Sequence, residues 1–318
     1  MKLAIIFNGQ GAHYEGMGLD FQAAYTEAKT EFDTAETVTD GMQIRQWIES
    51  DLDQFKATRN AQVAITATSL AIFNSIAPTL PAISFMAGLS LGEYTALMAS
   101  GMLSKTEGYQ LLKERGEIMS QHCEQLASST PVQMLAVMNM PFDQIESLVN
   151  EINIEHPELY IANINSNQQV IIAGTETTTQ VFKERAKELG YKKTMPLKVE
   201  GPFHSPLMSG TQASFATALE KVTFTQAEIP VISNTTVTPH NLATINELLV
   251  RHLVEPVKWR QTIDFLTEQG VTHLIQIGPG KTLAQLLKRE KNAPACLVID
   301  KVEDVADIQP FLNGGENE

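Results

Sequence analysis

The chain has 318 residues, enough to bury a sizeable core as two ordinary domains or as one large domain carrying an insertion. Apolar residues make up 43% and charged residues 19%, a globular balance that excludes a fibrous or disordered chain, and a formal net charge of -14 argues against a nucleic-acid binder, which needs clustered cations. Cys123 and Cys296 are too few for a disulfide framework and show no metal-like spacing, which suits a reducing compartment and no bound metal.

The opening MKLAIIF is too short for the apolar core of a signal peptide and reads as a buried strand from Leu3 to Phe7. No other apolar run reaches the ~20 residues that cross a bilayer, so a cytoplasmic protein without a membrane partner is expected. Helical spacing follows at Asp20 to Ala35 and at Ala61 to Ile76, the second apolar on most faces and therefore buried. A short strand from Ile83 to Ala87 runs into GLSLGEYTALMASG, whose small and apolar residues keep helical spacing to Gly101. Ser104 and Glu107 form a capping-box signature for a further helix reaching about His122, with Arg115 inside it.

From 127 to 196 the pattern changes to QMLAVM, a helix after Pro141, LYIANI, QVIIAG, a helix from Thr177 to Leu189, and KKTMPLKV. This βαββαβ order predicts a small ferredoxin-like subdomain inserted into an α/β body made of residues 1–126 and 197–318. The body resumes with a strand at Ile229 to Asn234 and another, HLIQIG, ahead of a helix from Thr282.

Gly88, Ser90 and Gly92 make a G-x-S-x-G between a predicted strand and a predicted helix, the context of a nucleophile elbow. In isolation the same pattern is a small-residue turn that packs a helix on a sheet. A serine hydroxyl needs a positioned base, and of seven histidines His204 is the best candidate, because GPFHSPLM places it on a loop restrained by glycine and proline. Ordinary hydrolases put the histidine near the C-terminus, yet 114 residues follow His204, so that class fits poorly.

NGQGAH, GLSLGEYTAL, KERGEIM, GPFHSPLM, VISN and IQIGPGKTL stand in the order and at the spacings of one family. Over nearly its whole length the chain resembles the bacterial malonyl-CoA:acyl carrier protein transacylases. That resemblance implies a hydrolase-like α/β body with a ferredoxin-like insert, and transfer of malonyl from coenzyme A to the phosphopantetheine thiol of acyl carrier protein for fatty acid synthesis. It implies Ser90 as nucleophile, His204 as base, and the Gln10 and Leu91 N–H groups as an oxyanion hole. Arg115 and Gln10 then bind substrate, Asn234 and His252 support the site, and Phe203 disfavours a branched methylmalonyl unit. Malonyl-CoA is the substrate, and no tightly bound cofactor is implied.

Without the resemblance, Arg115 reads as a surface arginine paired with Glu114 or Glu117. Leu89 and His13 stand where many members carry histidine and glutamine, and His252 replaces a glutamine whose main-chain carbonyl orients the catalytic histidine in the family. Gly9 and Gly11 lack the third glycine of a dinucleotide loop, and GPGKT lacks the first glycine of a P-loop.

An acidic carrier meeting an acidic enzyme requires local cations. Candidates for docking are Lys183, Arg185, Lys187, Lys192, Lys193 and Lys198, and, near the C-terminus, Lys281, Lys288, Arg289 and Lys291; each cluster is equally readable as a solvated face. The competing functions are a stand-alone polyketide-type acyltransferase, an acyl-thioester hydrolase, and an inactive scaffold that binds the carrier.

Overall fold

The computed structural model describes residues 1–288 and 290–314. Among them eight strands, β1 (Leu3–Phe7), β2 (Ile83–Gly88), β3 (Val132–Met138), β4 (Leu159–Ser166), β5 (Gln169–Thr175), β6 (Thr194–Pro196), β7 (His273–Ile277) and β8 (Ala295–Ile299), form two four-stranded sheets.

Every residue of β1 is buried. Its alternate side chains enter two different cores, Leu3, Ile5 and Phe7 on one side and Ala4 and Ile6 on the other. A strand apolar on both faces belongs inside a parallel sheet covered by helices on both sides. The body sheet has the order β2-β1-β7-β8 with every pairing parallel. The helix Thr58–Ile76 is buried almost throughout, as its composition predicts. Among the described residues it lies in the one helical stretch long and apolar enough to cross a membrane, Thr58–Thr79, and 83% of that stretch's apolar window is packed inside the fold.

The second sheet has the order β4-β5-β3-β6, antiparallel throughout, with the helices Phe142–Glu155 and Glu176–Glu188 on one face. This is the ferredoxin-like arrangement expected from the βαββαβ pattern. Leu135 and Val137 point to these helices, meeting Ile145, Leu148 and Phe182, whereas Met134 and Ala136 point the other way, into the main core. The period-two alternation of β3 thus turns one face of the insert toward the body.

Four expectations are corrected. The stretch from Asp20 to Ala35 is two helices, Leu19–Ala24 and Thr26–Val38, because the backbone is extended at Tyr25 (φ -129°, ψ 131°), whose ring stacks on Phe21. Ile229 to Asn234 is no strand; a single parallel bridge joins Val231 to Met86, and Pro230, lacking an N–H, offers only its carbonyl. The helix capped by Ser104 runs on to Ser129, through the expected junction at 126/127. KKTMPLKV shrinks to the three residues of β6, ended by Pro196.

Candidate active site

Strands β1, β2 and β7 release their loops at the same carboxyl edge of the body sheet, where α/β folds place their sites. Ser90 follows β2 with φ 55° and ψ -103°, a strained conformation for a residue with a side chain. The flanking glycines are obligatory. A Cβ on Gly88 would lie 2.1 Å from the Gly92 backbone, and one on Gly92 would lie 2.2 Å from the Phe7 carbonyl oxygen. Asn234 holds the elbow, accepting from Ser90 N–H at 2.7 Å while its amide donates to the Gly88 carbonyl at 2.8 Å. Leu91 opens the helix Leu91–Ala99, whose N-terminal end favours negative charge. The Leu91 and Gln10 N–H groups donate to no protein group among the described residues, and both residues line the cavity beside Ser90.

His204 also has a positive φ, 58°. Its Nε2 lies 2.6 Å from Ser90 Oγ, and its Nδ1 donates to the His252 carbonyl oxygen at 2.7 Å. A ring nitrogen facing a carbonyl must carry the proton, so Nε2 presents its lone pair to the serine. The His252 ring stacks on His204 with centroids 4.9 Å apart and on Tyr94 at 6.1 Å. The substitution at 252 leaves the main-chain carbonyl in place. Burial holds the His204 imidazole down at about 4, with the Arg115 charge acting the same way and the His252 hydrogen bond opposing them. Burial also pushes His252 well below the usual range.

A neutral imidazole therefore faces Ser90 across the physiological range. Acylation per active site should stay level down to about pH 5 and decline below it, measured by single-turnover quench. Folding stability should move in the same direction. The unfolded chain takes up protons near the ordinary histidine value of 6.5, whereas the folded His204 resists until about 4, so its stability contribution is complete above 6.5 and is lost as pH falls through that window.

Arg115 is 1% exposed, and Glu114, its expected partner, instead meets Lys221 at 2.8 Å. The guanidinium lies 4.8 Å from the centre of the Tyr94 ring, and its Nε and Nη2 have no acceptor among the described residues. Ser90, His204, Arg115, Gln10 and Phe203 all line one cavity of about 260 Å³. Its roof comes from the body-facing side of the insert, through Met134, Ala136 and Ile171. A carboxylate-bearing acyl thioester has there a hydroxyl with a base, two free N–H donors and a buried cation.

Several lining or supporting groups escaped the sequence reading. Asn163 and Asn165 line the cavity from β4; two amides at strand spacing within LYIANINS were an available signal. Glu93, buried three residues after Ser90, accepts from His240 Nε2 at 2.6 Å and from Asn234 N–H at 3.1 Å, and lies 3.6 Å from His252 Nδ1. His240 carried no local pattern. Of the other two departures from the family pattern, Leu89 lines the cavity and His13 packs against Phe55.

The docking candidates separate. Met195, Leu197 and Val199 line the cavity, so the exposed Lys192, Lys193 and Lys198 flank it along the chain. Lys183 and Lys187 are exposed on the helix Glu176–Glu188, on the opposite face of the insert sheet, and Arg185 there is committed to Glu151 and Glu155. The one-dimensional charge count missed those two acids because they come from another helix. Lys288 is exposed two residues beyond the cavity-lining Leu286, and Arg289 lies outside the described residues.

The model of the acyl transferase domain matches residues 4–310. The chain belongs to the acyl transferase family. This acyltransferase is 32% identical over 305 residues to the malonyl CoA-acyl carrier protein transacylase of Bacillus subtilis (strain 168), with 96% of this chain and 95% of that protein covered. The crystal structure of MCAT from Streptococcus pneumoniae superposes with a TM-score of 0.91 at 33% identity, covering 98% of this chain and all of that one. A malonyl-transacylase solved in complex with its type II PKS acyl-carrier protein gives 0.90 at 29% identity, covering 96% and 98%.

Proposed function

We propose that this acyltransferase moves a malonyl group from malonyl-CoA to the phosphopantetheine thiol of an acyl carrier protein, through a malonyl ester of Ser90, and so supplies fatty acid synthesis in the cytoplasm. The observation that carries the reading is Arg115, a buried guanidinium without an anionic partner among the described residues that lines the same cavity as the Ser90–His204 pair. A neutral acyl chain gives such a charge no partner, whereas a carboxylate matches its planar fork. The names of the relatives point the same way.

In this mechanism His204 Nε2 takes the Ser90 proton as Oγ attacks the thioester carbonyl, and the Gln10 and Leu91 N–H groups receive the oxyanion. Collapse expels the coenzyme A thiolate, which recovers the proton from His204. The carrier thiol then attacks the ester, giving its proton to His204 and finally to Ser90. Phe203, buried on the cavity wall, sets the room beside the malonyl carbon and disfavours a methyl branch. Asn234 and His252 hold the elbow and the base. Residues 127–196 act as the insert that roofs the site, with 1–126 and 197–318 as the body.

Mixing with malonyl-CoA and following the intact mass tests the proposal. The malonyl enzyme should decay slowly in water and rapidly on added holo-carrier; equal decay would make it a thioester hydrolase. A preference for a polyketide carrier over a fatty acid carrier would assign it to that pathway instead. For docking we favour Lys192, Lys193 and Lys288. Charge reversal at Lys192 and Lys193 should raise the carrier KM about three- to tenfold at low salt and flatten its salt dependence, while reversal at Lys187 should change neither.

A further inference from the structure

Glu200 has no part in the chemistry above, yet its side chain joins the His204 loop to two helices next to that chemistry. It stands four residues before His204, and although the residue itself is exposed, its Oε2 accepts two hydrogen bonds from elsewhere in the chain. One comes from the Thr58 N–H at 2.9 Å and the other from Ser120 Oγ at 2.9 Å. Thr58 begins the helix Thr58–Ile76, whose N-cap position, Ala57, has no side chain able to cap it. Glu200 supplies that acceptor in trans. Thr58 is itself fully buried, and its Oγ1 accepts from Gln10 Nε2 at 3.2 Å. Ser120 lies on the same helix as Arg115, about one and a half turns away. The two helices meet at this corner without slack, since a Cβ on Gly116 would lie 2.3 Å from Arg59 Cα.

We infer that Glu200 is a positioning residue: one carboxylate oxygen ties the His204 loop to the Gln10 oxyanion loop, through Thr58, and to the Arg115 helix, through Ser120. Without it the base, the oxyanion donor and the carboxylate grip are still present but lose their mutual register. Small misplacements of this kind reduce rate without removing any reacting group. The inference rests on the roles proposed for Ser90, Gln10 and Arg115.

The test is single-turnover acylation by malonyl-CoA and by acetyl-CoA, normalised to active sites by burst amplitude, so that misfolded protein does not count. Labelling of wild-type Ser90 checks the underlying mechanism by itself. Glu200→Ala should slow acylation per active site about tenfold with acetyl-CoA and more with malonyl-CoA, because the Arg115 link is lost as well. Glu200→Gln keeps an acceptor oxygen and should stay within about threefold of wild type. In a Thr58→Val background, where the Gln10 link is already absent, adding Glu200→Ala should slow acetyl acylation by less than about twofold more. A Glu200→Ala rate per site within about twofold of wild type, or equal losses in the Ala and Gln variants, would overturn the assignment while leaving the mechanism intact. Failure of wild-type Ser90 to label would overturn the mechanism instead.

Discussion

Ser90→Ala should gain no malonyl mass on mixing with malonyl-CoA and should lose on the order of 10⁴- to 10⁶-fold in transfer rate. The size follows from geometry. Ser90 Oγ is 2.6 Å from His204 Nε2, and the strained elbow that presents it is bought with two glycines that tolerate no side chain. Alanine keeps the fold of the elbow but leaves nothing to acylate. His204→Ala should lose a comparable factor, and the double variant little more, because the two groups act as one unit. Retained labelling in Ser90→Ala would move the acyl group to another nucleophile and end the proposed mechanism. Losses that multiplied in the double variant would mean that His204 does not activate this serine.

Arg115→Ala should lower malonyl transfer by about 2–5 kcal/mol of transition-state stabilisation, roughly 30- to 5,000-fold, while acetyl transfer falls far less. The guanidinium is the cation lining the Ser90 cavity, and it has no anionic partner among the described residues. A second readout separates binding from folding. A buried charge without an anionic partner among the described residues costs the free enzyme, so Arg115→Met, which fills the volume without the charge, should unfold at a temperature no lower than the parent. Equal losses for the two acyl groups would remove the assigned role. A sharp fall in thermal stability would show that Arg115 serves the core through Tyr94, whose ring it covers at 4.8 Å.

Much of the architecture was legible because it is written at short range. A strand apolar on both faces, a glycine on each side of Ser90, and the change from long helices to βαββαβ are local patterns, and each corresponds to an observed element. The misses lie where packing overrides the local pattern. Helical spacing continued smoothly through Tyr25, but its extended backbone, with the ring stacked on Phe21, breaks the helix there. The segment at Ile229 had strand composition but found only one residue of β2 to pair with. Arg185 was counted as a free cation because its acidic partners sit 30 and 34 residues away, on another helix.

By itself the sequence determined the kinds of group available: a hydroxyl on a tight turn, a loop histidine, an arginine on a helix, and the order of strands and helices. Only the tertiary structure decided that these meet in one cavity, that Arg115 is buried away from Glu114, and that the His252 carbonyl keeps its hold on His204 although histidine stands there. The division is physical. Turn geometry and periodicity depend on neighbours a few residues apart, whereas burial, tautomer and charge pairing depend on contacts between distant segments, from the 30 and 34 residues between Arg185 and its acids to the 114 that separate Ser90 from His204.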